Sequence, residues 1–417
     1  MDSKKLIAIL AVVIIIVAGV AVWMTAEPKE EERLKDYGGT LLVYGNANED
    51  SVIDEADIKA LEQMIAGEIE KTKFADANHD GEVDEKDIEY VKKLIAREKG
   101  TVVHYVDGGE FDATVTWPVD KVNVLYRAQQ TAVAVGLDDT KVQMISQMDN
   151  IFKNKFKNAV WDTTNAGLDD YDAMTAPGIP DAIITVTTPG TALDPAIKAI
   201  YSKAGIDIIR VANMEGYGTA ATALTLGYLV GTVEQSQKYA AWNTDMLKEI
   251  SSIVASIPAD KIRTGQMWMG GYFATGVGHG YTEAMEFAGL KALADWEGLK
   301  PLNMDNRAWF YNYDPDVIIR TMGIGYSAPA EKGIGIYKTW APVIEQMRAY
   351  VNDDFCVIDS SMPQSLRIAY TAEFAYPEFF KQGYGDEWHQ KLIDLYGIDV
   401  KCDGQFMVTA EDVRNAS

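Results

Sequence analysis

The segment TVVHYVDGGEFDATVTWPVDKVNVLYRAQQTAVAVGL, Thr101–Leu137, predicts the architecture of most of the chain. Two β-branched runs, Val102–Val106 and Asp112–Thr116, flank the pair Gly108–Gly109, a pattern typical of a hairpin. After Pro118, an apolar strand leads directly into a helical pattern. A strand followed by a helix is the unit from which parallel sheets are built, so the segment predicts the start of an α/β domain.

The same alternation of apolar runs with helical patterns continues from about Thr101 to Ser417. It predicts parallel sheets with crossover helices, and roughly 300 residues are too many for one core, so we expect two lobes. Thr232–Ile257 contains no Gly or Pro and is stopped by Pro258, which predicts a long helix that joins the lobes. The predicted strands are Val122–Tyr126, Asp181–Val186, Asp207–Val211, Thr264–Met269, Val317–Thr321 and Phe355–Asp359.

Composition excludes several classes of protein. Of 417 residues, 38 are Lys or Arg and 62 are Asp or Glu, which gives a net charge of −24. This balance argues against a nucleic-acid partner and suits an exported or cation-binding protein. The only cysteines, Cys356 and Cys402, exclude a disulfide-dense scaffold and a four-cysteine metal site, and leave open one disulfide or two buried thiols.

The N-terminal region predicts where the protein resides. Leu6–Met24 is a run of 19 residues without charge, and as a helix it would be about 28 Å long, enough to cross a hydrocarbon core. Lys4 and Lys5 precede it and the acidic run Glu27–Asp36 follows, so the remainder of the chain is expected outside the cell. We expect an uncleaved anchor at the extracellular face of the membrane, with a cleaved signal peptide as the alternative.

An acidic unit, residues 40–99, contains a repeat with a period of 30 residues. NANEDSVIDEADIKALEQMI, Asn46–Ile65, aligns with DANHDGEVDEKDIEYVKKLI, Asp76–Ile95. The apolar positions match across the offset and fall at helical spacing. Each copy is therefore predicted to be a polar loop leading into a short helix, and the two helices bury their apolar stripes against one another.

Both loops have the spacing of a 12-residue calcium loop, in which oxygen ligands stand at positions 1, 3, 5, 7, 9 and 12. Gly81 permits the sharp bend at position 6 of the second loop, whereas the first loop has Ser51 there and Asn46 at position 1. We therefore expect two calcium sites, the first weaker. The predicted ligands are Asn46, Asn48, Asp50, Val52, Asp54 and Asp57, then Asp76, Asn78, Asp80, Glu82, Asp84 and Asp87.

This pair of loops resembles a dockerin module over roughly Leu41–Ala96. The resemblance implies calcium binding and a cohesin-like partner. The tight join Lys99–Gly100–Thr101 makes an intramolecular clasp on the large domain the alternative. The docking residues implied by the resemblance lie on the exposed helix faces, near Lys59, Ala60, Gln63, Glu89, Tyr90 and Lys93.

Thr101–Leu137 is similar to the opening of the solute-binding proteins that feed iron–siderophore, haem and cobalamin ABC importers. Pro177–Val186 (PGIPDAIITV), Tyr313–Arg320 (YDPDVIIR) and the region from Phe355 also resemble that family, over about Val102–Val413. The resemblance implies two Rossmann-like lobes joined by a long helix, a metal chelate (ferric siderophore, haem or cobalamin) held between them, and an ABC permease as partner. The whole combination is similar to archaeal, particularly methanogen, surface proteins.

The fold class predicted is therefore α/β, with a small all-α calcium module and an N-terminal transmembrane helix. The predicted parts are the anchor or signal 1–25, tether 26–39, calcium module 40–99, first lobe 100–231, connecting helix 232–258 and second lobe 259–417.

Ligands of parallel α/β sheets bind beyond the carboxyl ends of the strands. Aromatic and cationic side chains there offer apolar area and charge for an anionic chelate. Arg127 begins a helix, where a cation is unfavourable, which favours a binding role; Trp268 and Met269 have core packing as the alternative, and a structural role is expected of His279. The predicted cleft residues are Tyr126, Arg127, Thr187, Thr188, Met214, Glu215, Tyr217, Trp268, Met269, Tyr272, Tyr326, Met362 and Arg367.

No enzyme is expected, because the chain has no G-x-S-x-G, H-E-x-x-H, complete G-x-G-x-x-G or phosphate-loop lysine motif. The first hypothesis is a membrane-anchored protein that captures a metal chelate and delivers it to an ABC permease. The alternatives are a surface scaffold or adhesion protein that uses the dockerin-like module, and an enzyme on a two-lobed frame.

Overall fold

The computed structural model describes residues 39–416, apart from 126, 147–151, 163, 165, 189, 213–217, 270–273, 277–278, 293–302, 305–306 and 327. The described residues belong to one compact unit, Tyr37–Ser417, and the domain boundaries given above remain predictions. The predicted anchor Leu6–Met24 lies outside the described residues. Among those that are described, no helix has both the length and the apolar character needed to cross a membrane.

Two loop–helix repeats come first, as the 30-residue period predicts. Helices α1 (Glu55–Ile65) and α2 (Glu85–Ile95) each begin with a capping box, formed by Asp54 and Asp84, and acidic first turns suit the positive end of the helix dipole. The two helices pack on one another through their apolar stripes. The buried apolar residues of this pair are Ala60, Leu61, Met64, Val91 and Leu94.

The first lobe, residues 102–230, begins with the hairpin of β1 (Val102–Val106) and β2 (Asp112–Thr116), as predicted. A parallel sheet follows in the order β5-β4-β3-β6-β7, the Rossmann order, with its switch point between β3 and β6. The sheet strands are β3 (Val122–Val124), β4 (Val142–Ser146), β5 (Val160–Asp162), β6 (Ala182–Val186) and β7 (Asp207–Val211). The helices are α3 (Ala128–Ala134), α4 (Tyr171–Thr175), α5 (Pro195–Lys203) and α6 (Thr219–Val230).

One long helix, α7 (Val233–Ala255), leads from the first lobe to the second. Its 23 residues are about 35 Å long at 1.5 Å per residue. It packs along α6, and the closest approach is at Gly227, where an added Cβ would come within 2.3 Å of Ser236. Only glycine therefore fits at this crossing.

The second lobe, residues 264–415, contains a sheet in the order β10-β8-β12-β13-β14, with the last strand antiparallel and the switch point between β8 and β12. The strands are β8 (Thr264–Met269), β9 (Ala274–Thr275), β10 (Lys291–Ala292), β11 (Asn303–Met304), β12 (Val317–Met322), β13 (Phe355–Asp359) and β14 (Met407–Val408). The helices are α8 (Gly280–Phe287), α9 (Arg307–Tyr313), α10 (Ala330–Trp340), α11 (Arg348–Val351), α12 (Gln364–Ala375), α13 (Tyr384–Tyr396) and α14 (Ala410–Asn415).

Each lobe has an apolar core beside its sheet. In the second lobe, Trp268, Phe310 and Phe355 are completely buried in one cluster, and each such side chain contributes about 1.5–3 kcal/mol by its burial. The two cysteines are both free: Cys356 is buried on β13, and Cys402 is half-buried. Of the two possibilities left open by the sequence, the structure has separate thiols.

His389 on α13 is completely buried between two tyrosine hydroxyls. Its Nδ1 lies 3.0 Å from the Tyr370 hydroxyl and its Nε2 lies 3.0 Å from the Tyr326 hydroxyl. Tyr370 in turn donates to Asp386 over 2.7 Å. Burial lowers the pKa of His389 to about 3, so the neutral ring links α12, α13 and the loop after β12.

We expect the free energy of unfolding to fall on acidification. An unfolded histidine titrates near pH 6.5, whereas folded His389 titrates near 3, so the unfolded state binds more protons between these values and stability is lost as the pH falls through this window. Urea unfolding at pH values from about 4 to 7 should show His389→Gln with a slope shallower by up to about 1.4 kcal/mol per pH unit. Exposed Lys401→Gln is the control, and equal slopes for wild type and His389→Gln would contradict this assignment.

Candidate ligand site between the lobes

The first lobe presents Arg127 at its switch point. The residue follows β3 and caps the N-terminus of α3 with a φ of +62°, a left-handed conformation that is unfavourable for arginine. Thr187 follows β6 on the other side of the switch point and is buried. Because a strained cation stands where helix dipoles disfavour positive charge, this position favours a functional role.

The second lobe places two arginines and a tyrosine beyond its own switch point. Tyr281 on α8 is 3% exposed, and its side chain is hydrogen-bonded to Thr321 and Arg367. Arg367 on α12 is 1% exposed and lies 5.2 Å from the Tyr281 ring. Its Nη2 donates to the carbonyls of Ser360 (2.8 Å) and Met362 (2.9 Å), and its Nε has no partner.

Arg320 on β12 is the second of these arginines and is 1% exposed. Its guanidinium lies between the rings of Trp268 (4.7 Å) and Trp340 (4.1 Å). Nη1 donates to the Trp268 carbonyl over 3.0 Å, and Nη2 contacts the Met322 sulfur over 3.1 Å. Its Nε has no hydrogen-bond partner, and burial lowers its pKa to about 10.

The two switch points meet. Gln130 on α3 donates to the Ser361 carbonyl at the end of β13, and Arg127 lies close enough to interact electrostatically with Tyr281 and Arg367. Burial alone would raise the pKa of Tyr281, but the charges of Arg367 and Arg127 and the hydrogen bond with Thr321 outweigh it, and the net pKa is lowered. Positive charge therefore converges on one phenol from both lobes.

A comparison with the first lobe shows what this cluster lacks. Arg210 on β7 is also buried, and its guanidinium binds Asp107 through Nε (2.6 Å) and Nη2 (2.5 Å). Neither Arg320 nor Arg367 has an ion pair with a carboxylate within the described part of the chain. The charge of Asp359 partly offsets that of Arg367, whereas no carboxylate acts on Arg320 in the described part of the chain. A buried guanidinium without a counter-ion is costly, so Arg320 above all fits a site for an anion.

The structure brings together some of the predicted cleft residues and separates others. Arg127, Arg367 and the Met362 carbonyl lie in the cluster, and half-buried Met269 pairs with Thr321 beside it. Trp268 is fully buried in the core and Tyr326 is bound to His389, while Thr188 is exposed and contacts Thr191. His279 accepts from the Tyr281 backbone N–H, a structural role as expected. Outside the described residues lie Tyr126, Met214, Glu215, Tyr217 and Tyr272.

Sequence reasoning missed Tyr281 and Arg320. Arg320 follows the apolar run VII inside β12, and a charged residue within a buried strand is a usable signal. Tyr281 has no such local signal, because it enters the site only when α8 is packed beside α12.

The second calcium loop holds its side-chain oxygens against its own backbone. Asp76 accepts from the N–H groups of Asp80 (3.0 Å) and Gly81 (2.9 Å), and Asp80 accepts from Glu82 (3.1 Å). Gly81 has a φ of +95°, which only glycine adopts freely. Lys86 pairs with Asp80 (3.3 Å) and Asp84 (3.1 Å).

The first loop differs at positions 1 and 6. Both Asn46 amide hydrogens are used, on the carbonyls of Leu41 (2.7 Å) and Asp50 (2.8 Å), and its buried Oδ1 has no partner. Ser51 does not have a positive φ, so the expected strain at this bend is absent. Burial raises the pKa of Asp57 at position 12 to about 6, although it accepts from the backbone N–H groups of Asp54 and Asn48.

The loops fit calcium by donor chemistry and by the unpartnered Asn46 Oδ1. Among the described residues, no group of three or more acidic, His or Cys side chains lies close enough together to hold a metal ion. The residues that would hold the cation are those of the two predicted ligand sets.

Residues 44–96 match the Dockerin type I domain. That domain is a calcium-binding module. Within the dockerin-type repeats of this chain, Lys59, Glu89 and Lys93 are exposed and Gln63 is half-buried, whereas Ala60 is buried. The Tyr90 hydroxyl is already bound to the Val102 carbonyl over 2.6 Å.

The α/β part has the fold of TroA-like periplasmic binding proteins. It is similar to the TroA-like periplasmic binding protein FepB from Veillonella parvula, with a TM-score of 0.57 and 14% identity over 73% of this chain and 99% of that chain. It is also similar to Helicobacter pylori CeuE with Ni(II) bound, with a TM-score of 0.55 and 15% identity over 73% of this chain and 98% of that chain. The Haemophilus influenzae molybdate-binding protein MolA gives a TM-score of 0.53 and 14% identity over 72% of this chain and 99% of that chain. At these identities the likeness shows the fold alone. Comparison with curated proteins found no match.

We expect Asn46→Asp to destabilise the calcium-free dockerin-type repeats, although it restores the charge of the usual position 1. The new carboxylate would face the carbonyls of Leu41 and Asp50 in place of two hydrogen bonds, at a cost of about 1–3 kcal/mol. Urea unfolding with a calcium chelator measures the loss, and added calcium should reverse part of it. Gln63→Glu, which adds the same charge on α1, is the control; an Asn46→Asp variant as stable as wild type without calcium would refute the role given to Asn46.

Proposed function

We propose that the protein is an extracytoplasmic solute-binding protein that captures an anionic metal chelate between its lobes and delivers it to an ABC permease. The observation that supports this proposal is the convergence of Arg127, Arg320 and Arg367 on Tyr281 where the two switch points meet. The proposed ligands are a ferric siderophore, haem or cobalamin, with anionic forms favoured by the charge of the site. The protein is proposed to act without catalysis, held at the cell surface by the segment Leu6–Met24.

The positive charge of the arginine cluster favours an anion-binding role over a purely structural role for these side chains. In a chain with a net charge of −24, two buried guanidinium groups, of Arg320 and Arg367, and the half-buried Arg127 interact with one phenol. Packing alone does not require this arrangement. Guanidinium groups bind carboxylates, phosphates and catecholate-like oxygens through paired N–H donors, and the gain is largest where water is excluded. A bound anion would supply the counter-charge that Arg320 lacks among the described residues and would add to the charge of Asp359 near Arg367.

The predicted cleft residues enter the proposal in two groups. Arg127, Arg367, Met269 and Met362 are proposed to line or support the ligand, with Tyr281 and Arg320 added by the structure. Thr187 and the residues outside the described part, Tyr126, Met214, Glu215, Tyr217 and Tyr272, remain proposed lining residues of the same cleft. Trp268 is proposed to orient Arg320 rather than to contact ligand, since its ring packs in the core below that guanidinium.

A second function is favoured by the match of residues 44–96 to the dockerin family. We propose that the repeats bind two calcium ions, the first more weakly, and that their exposed faces offer a docking surface for a cohesin-like protein. Lys59 on α1 and Glu89 and Lys93 on α2 are exposed and would form this surface.

The test of the first function is a tryptophan-fluorescence titration of the full chain in mild detergent. The ligands are an anionic ferric catecholate, a neutral ferric hydroxamate, haem, cobalamin and molybdate. We expect saturable binding of an anionic chelate at micromolar concentration or below, and no comparable response to the neutral hydroxamate. Silence across all five ligands would overturn the proposal.

Two substitutions locate the site. Arg367→Met should weaken the binding about 10- to 100-fold, the value of a buried charge-assisted hydrogen-bond pair. Arg127→Gly should weaken binding while leaving the fold intact, because glycine adopts the left-handed φ of position 127 without strain. Arg348→Met, which removes an exposed arginine of the second lobe, is the control, and affinities unchanged in both site variants would exclude this cluster.

A further inference from the structure

The dockerin-type repeats are joined to the first lobe by backbone pairing. The Tyr44 N–H donates to the His104 carbonyl and the Val106 N–H donates to the Leu42 carbonyl, each over 2.9 Å. Val43 forms an antiparallel bridge with Tyr105 between these two hydrogen bonds. The chain just before the first loop therefore adds a third strand to the β1–β2 hairpin.

The second loop also lies against this hairpin through its position 4. His79 has a φ of +58°, and its ring stacks on the ring of His104 with centroids 5.1 Å apart. The His79 ring meets Tyr44 edge-on at 4.5 Å, and the Tyr44 hydroxyl donates to Asp112 on β2 over 2.7 Å. The residue between ligand positions 3 and 5 is thus fixed to both strands of the hairpin.

The end of α2 is fixed to a different part of the lobe. Arg97, with a φ of +48°, donates to the carbonyls of Tyr228 (2.7 Å) and Leu229 (3.2 Å) at the C-terminus of α6. These carbonyls have no partner within their own helix, and a cation there also matches the helix dipole. The guanidinium lies 4.1 Å from the Trp117 ring, whose Nε1 donates to the same Leu229 carbonyl over 3.0 Å.

The first repeat lacks both attachments. Glu49 is the counterpart of His79, and its side chain accepts from the Lys73 N–H over 3.3 Å, within the repeats. Gly67 is the counterpart of Arg97 and is exposed, with nothing near its Cβ position. The first loop reaches the lobes through the hydrogen bond from Gln237 to Ser51, over 3.3 Å, and through the chain that precedes it, where the Leu41 N–H donates to the Asp50 carbonyl and the Leu42 N–H donates to Thr225 on α6. Two repeats that are alike in sequence are therefore unlike in their attachment.

We propose that the second calcium loop is an internal, calcium-dependent brace of the first lobe. With the cation bound, the loop, the β1–β2 hairpin and the C-terminus of α6 form one cooperative unit; without it, this unit loosens. The inference rests on the proposed calcium binding by the repeats, and not on the proposed ligand or permease.

The physical reason is charge within a short loop. Asp76, Asp80, Asp84 and Asp87 stand within 12 residues, and Lys86 partly neutralises two of them. Without a cation their mutual repulsion favours a more open loop, which moves His79 away from His104 and shifts α2, so that Arg97 at its far end is held less firmly on α6. A cation that binds the closed loop stabilises everything whose order depends on that closure, by mass action.

Hydrogen exchange of the full chain, followed by mass spectrometry, tests the proposal with calcium in excess and with a chelator. We expect exchange in segments 102–116 and 219–230 to be at least about tenfold slower with calcium. Segment 355–375 of the second lobe should not change and is the internal control. If calcium slows exchange only within residues 44–96, the brace does not exist.

Matched substitutions separate the two loops. Asp80→Asn and Asp50→Asn change position 5 of the second and first loop, and only Asp80→Asn should abolish the calcium effect on segment 102–116. Arg97→Ala should leave calcium binding intact, as checked by calorimetry, and make exchange in 219–230 independent of calcium. Lys92→Ala, an exposed change on the same helix, is its control. Equal effects of Asp80→Asn and Asp50→Asn on segment 102–116 would overturn the proposal.

Discussion

The close packing of α6 on α7 is the contact on which the rest of the structure depends. Because residue 227 is glycine, the two helices approach until Ser236 fills the space of the absent side chain. This fixes the direction in which α7 leaves the first lobe, and therefore where the second lobe begins. The carboxyl ends of both sheets then face one another, and Arg127 comes close to Tyr281 and Arg367. The same corner receives Arg97 from the dockerin-type repeats.

Charge is distributed unevenly in this molecule. The surface is strongly acidic, as the loops and helix N-termini require, whereas the buried polar groups include three large cations, Arg210, Arg320 and Arg367. One of them is neutralised by Asp107 and serves structure. The other two have aromatic faces and carbonyls as partners, and Asp359 offsets the charge of Arg367 only in part, without an ion pair. Burial alone therefore does not separate these three arginines; what differs is whether a carboxylate forms an ion pair with the guanidinium.

Much of the fold could be predicted from local pattern. The hairpin and the strands Asp207–Val211, Thr264–Met269 and Phe355–Asp359 have their predicted bounds, since apolar β-branched runs carry a strong signal. The predicted helix Thr232–Ile257 is shorter by a residue or two at each end. Strands β4 and β5 were missed because VQMIS and VWD are short and partly polar, and their order rests on pairing with distant strands.

The candidate site could be predicted only in part. Arg127 and Arg367 could be predicted from the sequence because each follows a strand and lies at the start of a helix, where ligands of such sheets bind. Tyr281 joins them through the packing of α8 on α12, and the burial of Trp268 and Tyr326 is decided by neighbours far away in sequence. The calcium loops could be predicted residue by residue, because all the ligands of such a site lie at fixed positions within 12 residues. Their attachment to the lobe could not be predicted, because it depends on contacts between residues that are distant in sequence.

The unequal attachment of the two repeats has an evolutionary consequence. After a duplication, both copies begin with the same freedom to accept substitutions. In the second copy, His79 and Arg97 contact the first lobe, whereas their counterparts in the first copy, Glu49 and Gly67, have no such contact among the described residues. Among homologues of this protein, the second copy should therefore diverge slowly and in step with the hairpin, and the first should drift.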